Sequence, residues 1–241
     1  MLFNGSRLVK GVSFNNYKDA GSPGSTIRAY NAQMADEIIL IDILASIQNR
    51  RPNSSLIKNF LIDLEVPITI GGGIKSIDDA HNCFDAGADK VALGSVLFEN
   101  KTIIKEIAKK YGSQAIVACI DFIKKENKYL IYNWLTKEII EEDVFTFIET
   151  LVEEGIGEIR ILRVDLEGTR KGMDHNLWKQ ISKKFRLPVI LEGGSSDLEN
   201  IIEIASKGVD SIALGTMLVF SDNNIIQIKR HLKNNHFLVR L

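Results

Sequence analysis

Four runs of small residues mark places where this chain can hold an anion. Gly71-Gly72-Gly73 and Gly193-Gly194-Ser195 each follow an apolar stretch, as do Gly94-Ser95 and Gly215-Thr216. Glycine lets backbone N–H groups approach a phosphate with no Cβ in the way, and a helix beginning just after adds the positive end of its dipole. A single glycine pair would as readily shape a tight turn. Two sets in matching register favour phosphate binding, and two cradles at one mouth imply a ligand phosphorylated at both ends. Three carboxylates, Asp42, Asp121 and Asp165, end or closely follow apolar runs. There they suit general acid or base work if burial moves their pKa toward the working pH. The alternative for each is an N-cap or a loop-ordering acid. Asp121 directly follows AIVACI, so the run before it fixes its backbone. Gly168 and Thr169 of Glu167-Gly168-Thr169 offer donors to the second cradle, and Lys10 of LVKG offers a charge for substrate, although most lysines are simply solvated.

The elements that must position these residues show themselves as a repeat. Pro67 matches Pro188, and 188 − 67 = 121; Gly72, Gly73, Gly87, Asp89 and Gly94 find Gly193, Gly194, Gly208, Asp210 and Gly215 at the same offset. Half of 241 is close to 121, so the chain reads as two similar halves, about 1–113 and 114–241, within one domain. Apolar runs at 38–42, 67–70, 90–93, 115–121, 158–162, 188–191 and 211–214 have the unbroken character of parallel strands buried on both faces. Helical patterns lie between them at 76–87, 100–112, 141–155, 175–185 and 197–208. Ser76 and Asp197 sit at helix starts, again 121 apart. The alternation predicts an α/β fold, a (β/α)8 barrel of two half-barrels. A doubly wound sheet would explain the alternation but not the near-equal repeat. Seven strands are counted where a barrel needs eight. The repeat places the first before Met1, so the first strand is expected to be truncated or missing; the alternative is that Leu2-Phe3 and the LVKGVSF stretch improvise an edge.

Composition narrows the class. The chain has 45% hydrophobic and 25% charged residues and a net charge of 30 − 31 = −1. These values fit a globular protein and give no basic face for nucleic acid or an anionic membrane. Two cysteines, Cys83 and Cys119, make no disulfide framework, and both read as inert. Four scattered histidines make no metal site, and no cofactor is expected. No apolar run approaches the ~18 residues of a membrane span, so a cytoplasmic location is expected. Glu37, Lys90 and Glu158 each begin a strand and would form a charged ring at the opposite rim, where the usual meaning is stability. Trp134 and Trp178 read as packing or surface residues on or near helices. YLIYNWL reads as a hairpin strand in an insert after strand five.

These segments together resemble a known family. KGVSFNNYKDAGSP (10–23), ADEIILIDILAS (35–46), PITIGGGIKSIDDA (67–80), GADKVALGS (87–95), YGSQAIVACID (111–121), VDLEGTRKGMD (164–174) and the terminal VRL are similar to the HisF cyclase branch of the HisA/HisF family, over the whole length. The resemblance implies an ammonia-dependent lyase, the cyclase of imidazole glycerol-phosphate synthase. Such an enzyme closes the imidazole ring of histidine biosynthesis on a bisphosphorylated ribulosyl intermediate. It implies a HisH-like glutaminase partner, forming a heterodimer at the N-terminal face and sending ammonia through the barrel. On that pattern Gly73, Gly94 and Ser95 hold one phosphate, and Gly168, Gly194, Gly215 and Thr216 the other, with Glu167 beside it. Asp121 is the catalytic aspartate, Lys10 and Asp42 are mouth residues, and Glu37, Lys90 and Glu158 form the ammonia gate.

The chain departs from the pattern at definite points. The family carries a second essential aspartate at the end of strand one, where Leu2 lies here, and a fourth gate residue, an arginine, at the start of that strand. Glu167 stands for the family's second-phosphate acid. The loop after strand five lacks the family's glycine-rich turn, and strand six ends in Leu162-Arg163 instead of small hydroxylic residues. One carboxylate does not readily serve two proton transfers on opposite sides of a substrate. A second reading therefore stands beside the cyclase: a HisF-like channel partner of a glutaminase in sugar amidation for surface polysaccharide. A third, a HisA-type phosphosugar isomerase, wants the same paired acids and fits KDAGSP and VRL less well.

Overall fold

The computed structural model describes residues 1–62 and 64–240. Leu241 of the VRL segment lies outside them. The chain starts with β1 (Leu2–Phe3), a hairpin of β2 (Leu8–Val12) and β3 (Asn15–Gly21), and α1 (Pro23–Ala32). There follow β4 (Ile38–Asp42), α2 (Ser54–Phe60), β5 (Ile68–Gly71), α3 (Ile77–Asp85), β6 (Lys90–Leu93), α4 (Val96–Glu99) and α5 (Thr102–Tyr111). The second half opens on the long β7 (Ile116–Lys125), whose end forms a second hairpin with β8 (Lys128–Asn133) and β9 (Glu138–Asp143). Then come α6 (Val144–Glu154), β10 (Glu158–Arg163), α7 (His175–Lys184), β11 (Val189–Glu192), α8 (Leu198–Ser206), β12 (Ile212–Ala213), α9 (Thr216–Val219) and α10 (Ile225–Asn234).

Eight strands, β1, β4, β5, β6, β7, β10, β11 and β12, lie side by side in chain order, every ladder parallel. Chain order without a reversal excludes the doubly wound sheet, which needs a switch point. The fold is a (β/α)8-barrel type. Its first strand is short: Leu2 and Phe3 take the parallel place beside Ile41 and Asp42 and turn back on Val9 and Leu8. The first strand is thus a two-residue stub, in keeping with the truncated first strand expected, and Leu2-Phe3 and the following hairpin form this edge. Among the described residues no ladder joins β12 to β1, and a cavity of about 490 Å³ lies at this seam between Leu2, Leu8 and Ile39 on one side and Ile190, Ile212 and Ala213 on the other.

Alternation along the strands decides what each residue meets. On β7, Ile116, Ala118, Ile120 and Phe122 join the apolar layer under the helices, while Cys119 and Asp121 face the barrel cavity. Ile103, Ile104 and Ile107 of α5 and Phe147, Ile148 and Leu151 of α6 are buried in that same layer. Such burial stabilises by roughly 1.5–3 kcal/mol per large aliphatic side chain. The expected helix over 141–155 begins at Val144, because Ile139 and Ile140 pair with β8 and Asp143 caps the helix through Phe145 N. YLIYNWL does supply a hairpin strand, and Trp134 lies in its turn, not on a helix.

Ser76 accepts from Asp79 N and Asp197 from Asn200 N, so both repeat-related caps form. Replacing either by alanine is expected to lower stability by about 1 kcal/mol in urea-unfolding measurements.

Candidate active site

The first set of small residues converges. A cavity of about 80 Å³ at the C-terminal strand ends is lined by Asp42, Gly73, Gly94, Ser95 and Asp121, together with Leu2 and Arg160. Gly73 adopts φ +75°, and a Cβ on it would stand 2.2 Å from Arg50 O, so close backbone approach alone requires glycine there. Its repeat partner Gly194 has φ +93°, with the same 2.2 Å clash against Gly172 O. Ser95 donates its hydroxyl to Ser46 Oγ at 3.1 Å. Asp42 accepts from Leu44 N and Ala45 N and pairs with Arg50 at 3.1 Å, so its carboxylate orders the loop while lining the cavity.

The second set converges more tightly. Gly168, Gly194, Ser195, Gly215 and Thr216 surround a cavity of about 10 Å³, roughly the room for one water. Lys10 and Glu167 line it as a buried ion pair. A Cβ on Gly215 would meet Lys10 Cε at 3.0 Å, so the glycine makes room for the lysine stem. Thr216 Oγ1 is buried without a hydrogen-bond partner. The solvated reading of Lys10 is thus corrected: it is 7% exposed and answered by Glu167. Thr169 turns its hydroxyl to Leu166 O and is not among the residues lining this cavity.

Between the two cavities stands a charged cluster that sequence reading missed. Arg160 on β10 is 5% exposed inside the barrel and forms an ion pair with Glu192 on β11. Its Nη1 lies 3.8 Å from Asp121 Oδ1, too long for a hydrogen bond, and that oxygen is buried without a partner. Burial pushes the Asp121 carboxyl from the usual 3.8 up to about 6; Arg160 opposes the shift and Glu192 adds to it. Burial alone would also raise Glu192, but the charge and hydrogen bond of Arg160 hold it below the usual range. Burial moves the Cys119 thiol up to about 11, so it is protonated at neutral pH.

Other expectations separate here. Asp165 is tied to Arg163 at 2.8 Å outside these cavities, and Arg163 also reaches Asp174 at 2.8 Å. Neither Asp165 nor the charge of Arg163 is free to act at the mouth. At the opposite rim Lys90 Nζ lies 2.9 Å from Glu37 and 2.7 Å from Glu158, so the three predicted charges do meet. Leu2 stands beside Ile41 in the register in which Asp121 stands beside Leu162, and 162 − 41 = 121. Strand one therefore brings an apolar side chain to the level of Asp121. Among the described residues no group of three His, Cys, Asp or Glu could hold a metal ion, and no helix is long and apolar enough to cross a membrane.

Fold and site define a duplicated (β/α)8-barrel protein whose polar cavities gather at the C-terminal strand ends, with one buried titratable acid between two glycine-lined turns. The match to the model of the histidine biosynthesis protein family, over residues 4–224, places the chain in that family. It is HisF-like: it is 34% identical over 238 residues to the imidazole glycerol phosphate synthase subunit HisF of Chlorobium limicola, covering 98% of this chain and 95% of that protein. The subunit of the same name from Chlorobaculum tepidum is 35% identical over 236 residues, covering 98% and 94%.

Between about pH 4 and 6 the folded chain binds the Asp121 proton that the unfolded chain has released. This group's share of stability therefore falls as pH rises through that window. Carboxyl ¹³C NMR is expected to show one aspartate titrating near 6 and its signal absent from Asp121→Asn. A full set of aspartates titrating near 4 contradicts the site as described.

Proposed function

We propose that this chain is the ammonia-using cyclase subunit of an imidazole glycerol-phosphate synthase, acting in histidine biosynthesis on a bisphosphorylated ribulosyl intermediate. The observation that carries the reading is Asp121: a strand-end carboxyl pushed to about 6, in one cavity with Gly73, Gly94 and Ser95. An acid with that pKa holds both protonation states near neutral pH, so it can give and then take a proton as ammonia adds to a carbonyl and the ring closes. Gly73, Gly94 and Ser95 hold one phosphate, and Gly168, Gly194, Gly215 and Thr216 the other. The unpartnered Thr216 hydroxyl is a ready donor, while admission of a phosphate to that small cavity requires Lys10 and Glu167 to move apart. Glu37, Lys90 and Glu158 form the entry at the N-terminal face for ammonia from a HisH-like glutaminase. All of this runs in the cytoplasm.

One observation favours a second reading. Leu2 stands where a partner acid to Asp121 would stand, which leaves one carboxylate for two proton transfers. On that reading the barrel pairs with a glutaminase and passes ammonia to the amidation of a sugar for surface polysaccharide, without ring closure.

Steady-state assay with the bisphosphorylated intermediate and ammonium salt separates them. Turnover that falls at least a hundredfold in Asp121→Asn supports the cyclase. No turnover, together with a glutaminase that copurifies and is lost in a Glu37→Lys/Glu158→Lys variant, supports the second reading. No turnover and no glutaminase binding removes both.

A further inference from the structure

The two hairpins that follow the first strand of each half meet above the first cavity. Phe14 from the β2–β3 turn and Tyr132 from β8 lie 6.3 Å apart between ring centroids, which joins the hairpins. Tyr17 and Trp134 wall the cavity alongside Gly94 and Asp121. Asn133 sets the turn that presents the indole: its Oδ1 accepts from Leu135 N at 3.0 Å and Thr136 N at 3.4 Å.

The nearest indole atom to the glycine turn is the nitrogen. Trp134 Nε1 would stand 4.0 Å from a Cβ on Gly94. Among the described residues this N–H has no protein acceptor, whereas the indole of Trp178 donates to Val189 O at 3.2 Å. A half-buried indole usually finds a partner for its single donor. Here the nitrogen lies beside a glycine turn, at the edge of a cavity that Phe14 and Tyr17 also line.

We infer that Trp134 is a ligand-binding residue: its N–H donates to a phosphate oxygen seated at Gly94-Ser95, and its ring covers the cyclic part of a phosphorylated small molecule. The inference rests on reading Gly73, Gly94 and Ser95 as a phosphate site. It gives the insert after strand five a role in recognition. It commits the ligand to a class, a compound with a sugar or heterocyclic ring close to the phosphate, which is the kind of group an indole face packs on.

The test uses inorganic phosphate and ribose 5-phosphate, read by intrinsic fluorescence and by titration calorimetry. Saturable quenching of the wild-type emission by both probes is expected, and Trp134→Phe identifies the emission that changes. Trp134→Phe keeps an aromatic face and loses the donor, so it is expected to weaken both probes about tenfold. Trp134→Leu is expected to weaken ribose 5-phosphate further than inorganic phosphate. Unchanged affinities in Trp134→Phe, with binding to the wild type intact, overturn the role of Trp134 and leave the cradle standing. Absence of any phosphate binding to the wild type overturns the cradle and this inference together. Trp178→Phe leaves Trp134 as the single emitter and keeps the titration decisive where Trp134→Phe folds poorly: quenching retained supports the inference, and emission unchanged by bound phosphate overturns it.

Discussion

Arg160 places a full positive charge inside the barrel at 5% exposure, and the site is arranged around that charge. A guanidinium taken out of water carries a desolvation penalty of several kcal/mol, repaid only by carboxylates in good geometry. Glu192 supplies the close partner and Asp121 the distant one. The division has a chemical consequence. Glu192 takes the direct hydrogen bond and stays ionised, so Asp121 is left with a weak attraction and a large burial penalty. Its proton is therefore held to a pH two units above that of an ordinary aspartate. A closer contact between Arg160 and Asp121 would hold that carboxyl ionised and remove its capacity to act as an acid.

The same accounting of charge explains why the two glycine-lined turns differ although the sequence repeats them. Gly73 and Gly194 share backbone conformation and the same close approach, so the repeat is preserved in the main chain. The difference comes from what the hairpins deliver. The β2–β3 hairpin carries Lys10 into the second turn, where Glu167 must answer it, and the pair fills the space. The β8–β9 hairpin carries Trp134 over the first turn, an apolar side chain with one donor, and leaves a cavity. Equal main chains under unequal hairpins give one open and one filled turn.

Much of this was legible in the sequence because buried parallel strands and turn glycines leave strong local marks. The apolar runs, the two helix caps 121 residues apart and the convergence of both glycine sets follow from such marks. Arg160 and Glu192 were not legible. A charged residue inside the apolar run EIRIL was a signal, two positions from Glu158 and so on its face, but the run alone does not say that this face turns to the barrel axis or that Glu192 answers it. Trp134 escaped for a different reason. A tryptophan inside an apolar insert looks the same whether it packs or lines a cavity; only the Asn133 turn and the pairing of two hairpins put it over Gly94. Asp165 failed as a candidate because Arg163, two residues away, neutralises it locally.

The two ends of the barrel hold their charges differently. At the opposite rim Lys90 and Glu37 are partly exposed, where charges rearrange at small expense, while Glu158 beneath them is buried. Arg160 is buried two residues beyond Glu158 on the same face of β10, and Glu192 answers it from the adjacent strand, so parting the two leaves a buried charge unanswered. Anything that travels from rim to mouth along the axis meets the rigid layer second. Glu192 answers the guanidinium in direct contact, so the layer presents a near-neutral pair and sets little Coulomb barrier to a molecule of either charge.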